Sequence, residues 1–298
     1  MRQINHRWRV GILTVIVSVL LAGCTGQKMP ILQKEQVPLS AVTKTPTGIH
    51  YSGKFVWHDL LTDDVSKAKK FYAGLFGWSY EESGSYTTIY HHGKPIGGMM
   101  EIASKAGSKA EALWLPSLSV SDVDRAVTYV KSKKGAVLKG PLDMKDRGRG
   151  ALVSDPEGAH LVLLHTKDGD PKDQTPEMGD WLWNELWTNK PKESYALYRK
   201  LGKYDTSQMR DGYLILSHQG KWRAGVRDVS KAGFKSRWVP VVRVAELNAT
   251  MDKAVKLGGS VAMKPHKDIT DGNVAVIIDN TGALLLVQYW NASMKGDN

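Results

Sequence analysis

The chain has one cysteine, Cys24, in 298 residues. An internal disulfide and a site built on paired thiolates are therefore excluded. Phenylalanine is scarce, four residues against ten tryptophans. No phosphate-cradling P-loop is present. The glycines from Gly93 to Gly98 belong to a hairpin rather than to a G-x-G-x-x-G turn opening a helix, which removes the dinucleotide fingerprint. No G-x-S-x-G elbow occurs, so the nucleophile of an α/β-hydrolase is missing too. What is present is an ordinary globular composition, 42% hydrophobic and 24% charged, with length enough for two domains.

The first residues stand apart from the rest. Arg2, Arg7 and Arg9 form a basic head, and Val10 to Leu21 is an apolar run. A run of this length matches a signal-peptide core and is too short to span a bilayer comfortably. It ends in Leu21-Ala22-Gly23-Cys24, which resembles the bacterial lipobox. That resemblance implies cleavage before Cys24, lipidation of Cys24 and attachment to a membrane of the cell envelope. By resemblance to Gram-negative sorting rules, Thr25 at the next position implies the outer membrane, facing the periplasm. An ordinary secretory signal with an incidental cysteine is the plainer alternative. Residues 25–50 hold three prolines and little periodicity, the pattern of a tether. Without residues 1–23 the chain carries 38 basic and 30 acidic side chains, a net of +8. The lysines are scattered, which suits anionic headgroups better than nucleic acid, and no nucleic-acid partner is expected.

The stretch Phe55 to Trp78 reads as strand, cap, helix and stop. Aromatic and apolar residues open it, Thr62, Asp63 and Asp64 offer caps, and Val65, Ala68, Phe71, Tyr72 and Leu75 follow at helical spacing up to Gly77. It recurs. Trp57, Asp59, Tyr72 and Leu75 meet Trp183, Glu185, Tyr198 and Leu201 at a displacement of 126. Tyr86, His91 and Gly98 meet Tyr213, His218 and Gly225 at 127, and Trp114, Asp155 and Gly158 meet Trp238, Asp279 and Gly282 at 124. A displacement that drifts so little is a tandem duplication. Each half reads as two modules of strand, helix and three strands.

Four βαβββ modules in two tandem halves make an α+β fold. The residues Asp59-Leu60-Leu61-Thr62-x-Asp64, Phe71-Tyr72 with Leu75 to Trp78, Ser119-Val120-x-Asp122-Val123 and Asp155-Pro156-Glu157-Gly158 together resemble the vicinal oxygen chelate superfamily of glyoxalases, bleomycin resistance proteins and extradiol dioxygenases. The likeness covers residues 52 to 290. It implies two cupped mixed-sheet domains, at 51–168 and 179–291, joined by a linker at 169–178 and followed by a tail at 292–298. It also implies a cavity inside each cup, where metal-dependent members hold a divalent ion on His, Gln or Glu.

The positions that correspond to those ligands carry Trp57, Trp183, Leu115, Val239, Val162 and Leu286, none of which ligates a metal. A slip of one residue would bring in His58, but its duplicate is Asn184 and the slip turns the side chain to the other face. No metal and no cofactor are expected. The candidate pocket is instead Trp57, Asp59, Trp114, Trp183, Glu185 and Trp238: tryptophans on the first strands of the modules, with a carboxylate two residues from Trp57 and from Trp183. The carboxylates can serve as an acid or base, or bond a neighbouring strand. The tryptophans can line a pocket or fill a core. His58, His91 and His218 are weaker candidates, the last two read as a duplicated pair beside a hairpin turn. Three functions remain open. One is a metal-free, lipid-anchored protein that binds a small aromatic or apolar molecule. The second is an enzyme, either a glyoxalase-type lyase or isomerase or a dioxygenase-like one, with a displaced metal or an acid–base carboxylate. The third is an envelope interaction module whose cavity is filled by tryptophan.

Overall fold

A computed structural model describes residues 39–103, 111–210 and 213–291. The signal segment, Cys24 and the tail lie outside them. The first module is β1 (Phe55–Thr62), α1 (Val65–Phe76), β2 (Ser79–Ser83), β3 (Tyr86–His91) and β4 (Lys94–Glu101). The second is β5 (Leu113–Ser119), α2 (Val123–Ser132), β6 (Ala136–Met144), β7 (Gly148–Ser154) and β8 (His160–Thr166). The second half repeats the order with β9 (Trp181–Thr188), α3 (Pro191–Leu201), β10 (Thr206–Arg210), β11 (Tyr213–His218) and β12 (Lys221–Asp228), then β13 (Arg237–Val244), α4 (Leu247–Lys256), β14 (Ser260–Met263), β15 (Val274–Ile278) and β16 (Leu284–Tyr289).

Local chemistry sets the helix ends. Asp64 caps α1 by accepting from the backbone N–H of Lys67 at 2.8 Å, and Gly77 ends the helix in the left-handed region at φ 76°. Asp122 caps α2 in the same way through Arg125, and Pro191 opens α3, where its missing N–H costs nothing.

Each half forms one eight-stranded sheet, in the orders β2-β3-β4-β1-β5-β8-β7-β6 and β10-β11-β12-β9-β13-β16-β15-β14. The modules join along β1 and β5, which run antiparallel, with Asp59 opposite Leu115. β9 and β13 repeat that register, with Glu185 opposite Val239. Duplicated residues thus occupy the same place in the two sheets.

Alternation along the strands divides each sheet into two faces. One face of each sheet packs on helices, and the helices pack on the other sheet as well. Phe71, Tyr72 and Leu75 of α1 share a core with Met251 and Ala254 of α4, Leu60 and Trp114 of the first sheet, and Val242, Ile277 and Leu285 of the second. α2 and α3 form a matching cluster with both sheets. The main cores therefore lie between the halves. The other face of each sheet, free of helices, is the inside of a cup.

The linker is tied down. Asp170, fully buried, accepts from Tyr51 N, Ser119 Oγ and Thr166 Oγ1, while Asp173 takes two bonds from Arg223 and an ion pair from Lys54. Burial pushes the Asp173 carboxyl up, but its bonds to Arg223 and Lys54 outweigh that and bring it down to about 2. The described part of the expected tether is bound as well. Thr47 donates to the carbonyl of Asp170 through its hydroxyl, and Val42 is buried against Val56, Trp57 and Leu164. From Ser40 onward the segment belongs to the folded body.

Candidate functional site

Both cups are built on the same pair, a carboxylate and a tyrosine. In the first, Asp59 Oδ1 accepts from Tyr86 Oη at 2.6 Å and from Trp57 Nε1 at 3.0 Å. In the second, Glu185 Oε1 accepts from Tyr213 Oη at 2.9 Å, and Oε2 accepts from Trp187 Nε1 at 3.2 Å. The duplicated glycines Gly98 and Gly225 make the arrangement possible. A Cβ on either would stand 1.9 Å from the tyrosine hydroxyl, so no side chain is tolerated there. Burial raises both phenols well above their ordinary range, and the neighbouring carboxylates add to it, so both stay un-ionised.

Each cup also receives a guanidinium, from a different part of the chain. Arg147 stands in the turn between β6 and β7, its charge 4.2 Å from the Trp57 ring centroid and its Nη1 3.6 Å from Asp59 Oδ2. Its Nη2 donates to Tyr86 Oη at 2.9 Å. Arg227 comes from β12 and grips Glu185 with two bonds of 3.0 Å, Nε to Oε2 and Nη2 to Oε1, while lying over Tyr213 at 4.6 Å. Burial pulls the Arg227 guanidinium down, but the charge and bonds of Glu185 outweigh it, and it is held above its ordinary value.

A divalent cation does not suit these residues. Each cup offers one carboxylate, already paired with a guanidinium and bonded by a phenol and an indole. The remaining wall positions hold Trp57, Leu115 and Val162, or Trp183, Val239 and Leu286. Among the described residues no group of three His, Cys, Asp or Glu side chains is placed to share an ion.

The cups differ in what fills them. Ser40 and Val42 lie in the first. Arg147 Nε donates to the Ser40 carbonyl at 2.5 Å, the Ser40 hydroxyl accepts from Thr88 at 3.0 Å, and Trp57 is 0% exposed. In the second, Trp183, Tyr213 and Trp222 each keep part of their surface in solvent. Trp183 lies 6.0 Å from the Tyr213 ring and 6.3 Å from that of Trp222. Its Nε1 is shielded and has no hydrogen-bond partner. Below it is an apolar floor of Val239, Val241, Val274, Val276 and Leu286, flanked by Leu182 and Leu284.

Trp114 and Trp238 are not in the cups. They sit on the helix face, where Trp114 Nε1 donates to Tyr72 Oη and Trp238 Nε1 to Tyr198 Oη. The reason is the two-residue period: Leu115 and Val239 hold the cup positions, so their neighbours point the other way. His58 is buried on that face too, with Nε2 3.1 Å from Asn184 Oδ1 and its ring against Trp181. Burial lowers its pKa to about 3. His91 is buried rather than turn-exposed, with Nδ1 2.5 Å from Asp180 Oδ1. His218 has Nδ1 3.5 Å from Asp205 Oδ2, so this duplicated pair does not make one site. Arg147 and Arg227 escape a search for duplicated residues because they come from non-equivalent elements. Tyr86 and Tyr213 are a visible pair, and the glycines opposite them are the signal that they point inward.

A sequence model of the Glyoxalase/Bleomycin resistance protein/Dioxygenase superfamily matches residues 53–163. CFP32 of Mycobacterium tuberculosis, a candidate glyoxylase, is 30% identical over 241 residues, 78% of this chain and 92% of the relative. The anthracycline biosynthesis protein DauV of a Streptomyces species is 28% identical, over 78% of this chain and 91% of its own. Among solved structures, the Mn(II)-bound glyoxalase of Novosphingobium aromaticivorans superimposes with a TM-score of 0.58 at 13% identity, covering 81% of this chain and 83% of that one. The 2,3-dioxygenase LapB of a Pseudomonas species gives 0.57 at 9% identity, covering 82% and 94%. The chain belongs to the glyoxalase/bleomycin resistance protein/dioxygenase superfamily, and its four modules have that superfamily's fold.

Proposed function

We propose that this chain is a lipid-anchored, metal-free binding protein that holds a small aromatic molecule in its second cup. One contrast carries the reading. Trp57 and Trp183 occupy the same place in the two sheets, yet Trp57 is sealed beneath residues 40–42 while Trp183 keeps exposed surface. Partly buried Trp183, Tyr213 and Trp222 over an apolar floor suit a flat ligand. The carboxylates give no support to acid–base catalysis. Asp59 and Glu185 are both engaged by a phenol and paired with a guanidinium, which favours the ionised carboxylate in a structural network over a free acid or base. The name of DauV connects one relative with anthracyclines, which are polycyclic aromatic compounds. Attachment rests on the basic head, apolar run and Leu21-Ala22-Gly23-Cys24 of the sequence.

The test is a titration of chelator-treated protein with polycyclic aromatic compounds, read by tryptophan fluorescence. Saturable quenching that Trp183→Ala removes is the expected result. Binding that appears only after a divalent metal is restored, or conversion of the compound to a product, overturns it.

A further inference from the structure

We infer that the second cup selects a neutral aromatic carbonyl compound, a ketone or quinone, whose oxygen is held by Arg227 and the indole N–H of Trp183. This rests on the second cup being the binding site.

The first cup displays what such a site accepts. Its guanidinium, Arg147, donates to a carbonyl oxygen, that of Ser40, and two residues on the Val42 side chain packs against Trp57. The occupant is a neutral carbonyl carrying an apolar group.

The second cup repeats the carboxylate, phenol and guanidinium, and leaves an indole donor unused. Arg227 spends Nε and Nη2 on Glu185, and Nη2 also approaches Thr270 Oγ1 at 3.4 Å. Its Nη1 has no partner among the described residues. Trp183 Nε1 has none either. The Trp183 ring and the Arg227 guanidinium both lie against Tyr213, at 6.0 Å and 4.6 Å from its centroid. Trp183 Nε1 is a shielded donor without a partner, which is costly to leave so. An acceptor oxygen satisfies it, and a hydrocarbon does not.

Charge decides between a carbonyl and a carboxylate. The Glu185–Arg227 pair is neutral in sum, and Tyr213 is held un-ionised by burial. An anionic ligand would bring an uncompensated charge beside buried Glu185, 1% exposed. The guanidinium reaches the carboxylate from β12 here and from the β6–β7 turn in the first cup. Since neither arginine is duplicated, the shared feature is the chemistry at the carboxylate and not an inherited residue.

The experiment compares three probes of one size, 2-acetylnaphthalene, 2-ethylnaphthalene and 2-naphthoate, by fluorescence titration of the full chain. Wild type is expected to hold the ketone roughly tenfold more tightly than the hydrocarbon, the worth of a buried hydrogen bond. The naphthoate is expected to bind more weakly than the ketone. Trp183→Phe keeps the ring and removes the N–H, and is expected to cut the preference to about threefold or less with hydrocarbon affinity unchanged. Arg227→Met combined with Glu185→Gln removes the pair without leaving a bare charge, and is expected to abolish the remainder. Equal affinity for ketone and hydrocarbon in wild type overturns the inference while leaving the second cup as the binding site. Tightest binding of the naphthoate overturns it too. Binding of none of the three overturns both.

Discussion

His58 and Asn184 occupy equivalent positions in the two halves, and they contact each other, His58 Nε2 lying 3.1 Å from Asn184 Oδ1. Each stands opposite a proline on the neighbouring strand, Pro116 and Pro240. Duplicated residues that touch lie on the local two-fold axis relating the halves. The axis is seen again in two crossed bonds. Tyr72 of the first half donates to Asp279 of the second at 2.8 Å, and Tyr198 of the second donates to Asp155 of the first at 3.0 Å.

His58 is expected to make the fold sensitive to acid. Its folded pKa is lowered to about 3 by burial, so between that value and about 6.5 the unfolded chain binds a proton that the folded chain does not. The stabilising effect is complete above the unfolded pKa and is lost as pH falls toward 3, to a total on the order of 5 kcal/mol. His58→Asn, which places amides on both sides of the axis, is expected to flatten urea stability between pH 7 and pH 4. A wild-type profile already flat across that range would show that His58 takes up its proton without cost.

The crossed tyrosines should act as twins. Tyr72→Phe leaves Trp114 Nε1 and Asp279 Oδ2 without a partner, and Tyr198→Phe does the same to Trp238 Nε1 and Asp155 Oδ2. Each is expected to cost about 2–4 kcal/mol in chemical denaturation, with the two values within about 1 kcal/mol of each other. A large cost for one and none for the other would deny the equivalence of the two contacts.

Residues 40–42 should contribute to stability and not only to reach. Val42 is 4% exposed against Trp57 and Leu164. Val42→Asp places a carboxylate there and is expected to lower stability by about 3 kcal/mol, with fluorescence of Trp57 shifting to the red. An unchanged denaturation midpoint would mean that the first cup stays closed without this segment.

The anchor has its own measurement. Mass analysis of the membrane fraction is expected to find Cys24 as the first residue, carrying lipid, and Cys24→Ser is expected to leave the chain unlipidated and uncut. An intact Met1, or an unmodified Cys24, contradicts it.

Much of the fold is legible in the chain because two periodicities and a duplication reinforce one another. Asp64 and Gly77 announce helix ends that the structure keeps. The cup residues Trp57, Asp59, Trp183 and Glu185 follow from strand alternation. Trp114 and Trp238 are misplaced by treating every first-strand tryptophan alike. The same alternation, applied from Leu115 and Val239, sends them to the helix face. Arg147 and Arg227 are illegible for a different reason. A guanidinium on a long side chain reaches its carboxylate across the sheet from any of several elements, so no spacing marks it. The closing of the first cup by Ser40 and Val42 is also hidden. Their neighbours have the composition of a tether, and only tertiary packing distinguishes this part of it.

The most direct measurement is a crystal structure of the chelator-treated chain grown with 2-acetylnaphthalene. The expected density is one ligand per chain, in the second cup, its ring against Trp183 and its oxygen at Arg227, with Ser40 and Val42 still seated in the first cup and Glu185 still on Arg227. A ligand in the first cup in place of Ser40 and Val42, or a metal ion bound to Glu185 with Arg227 turned away, would contradict a metal-free binding site in the second cup.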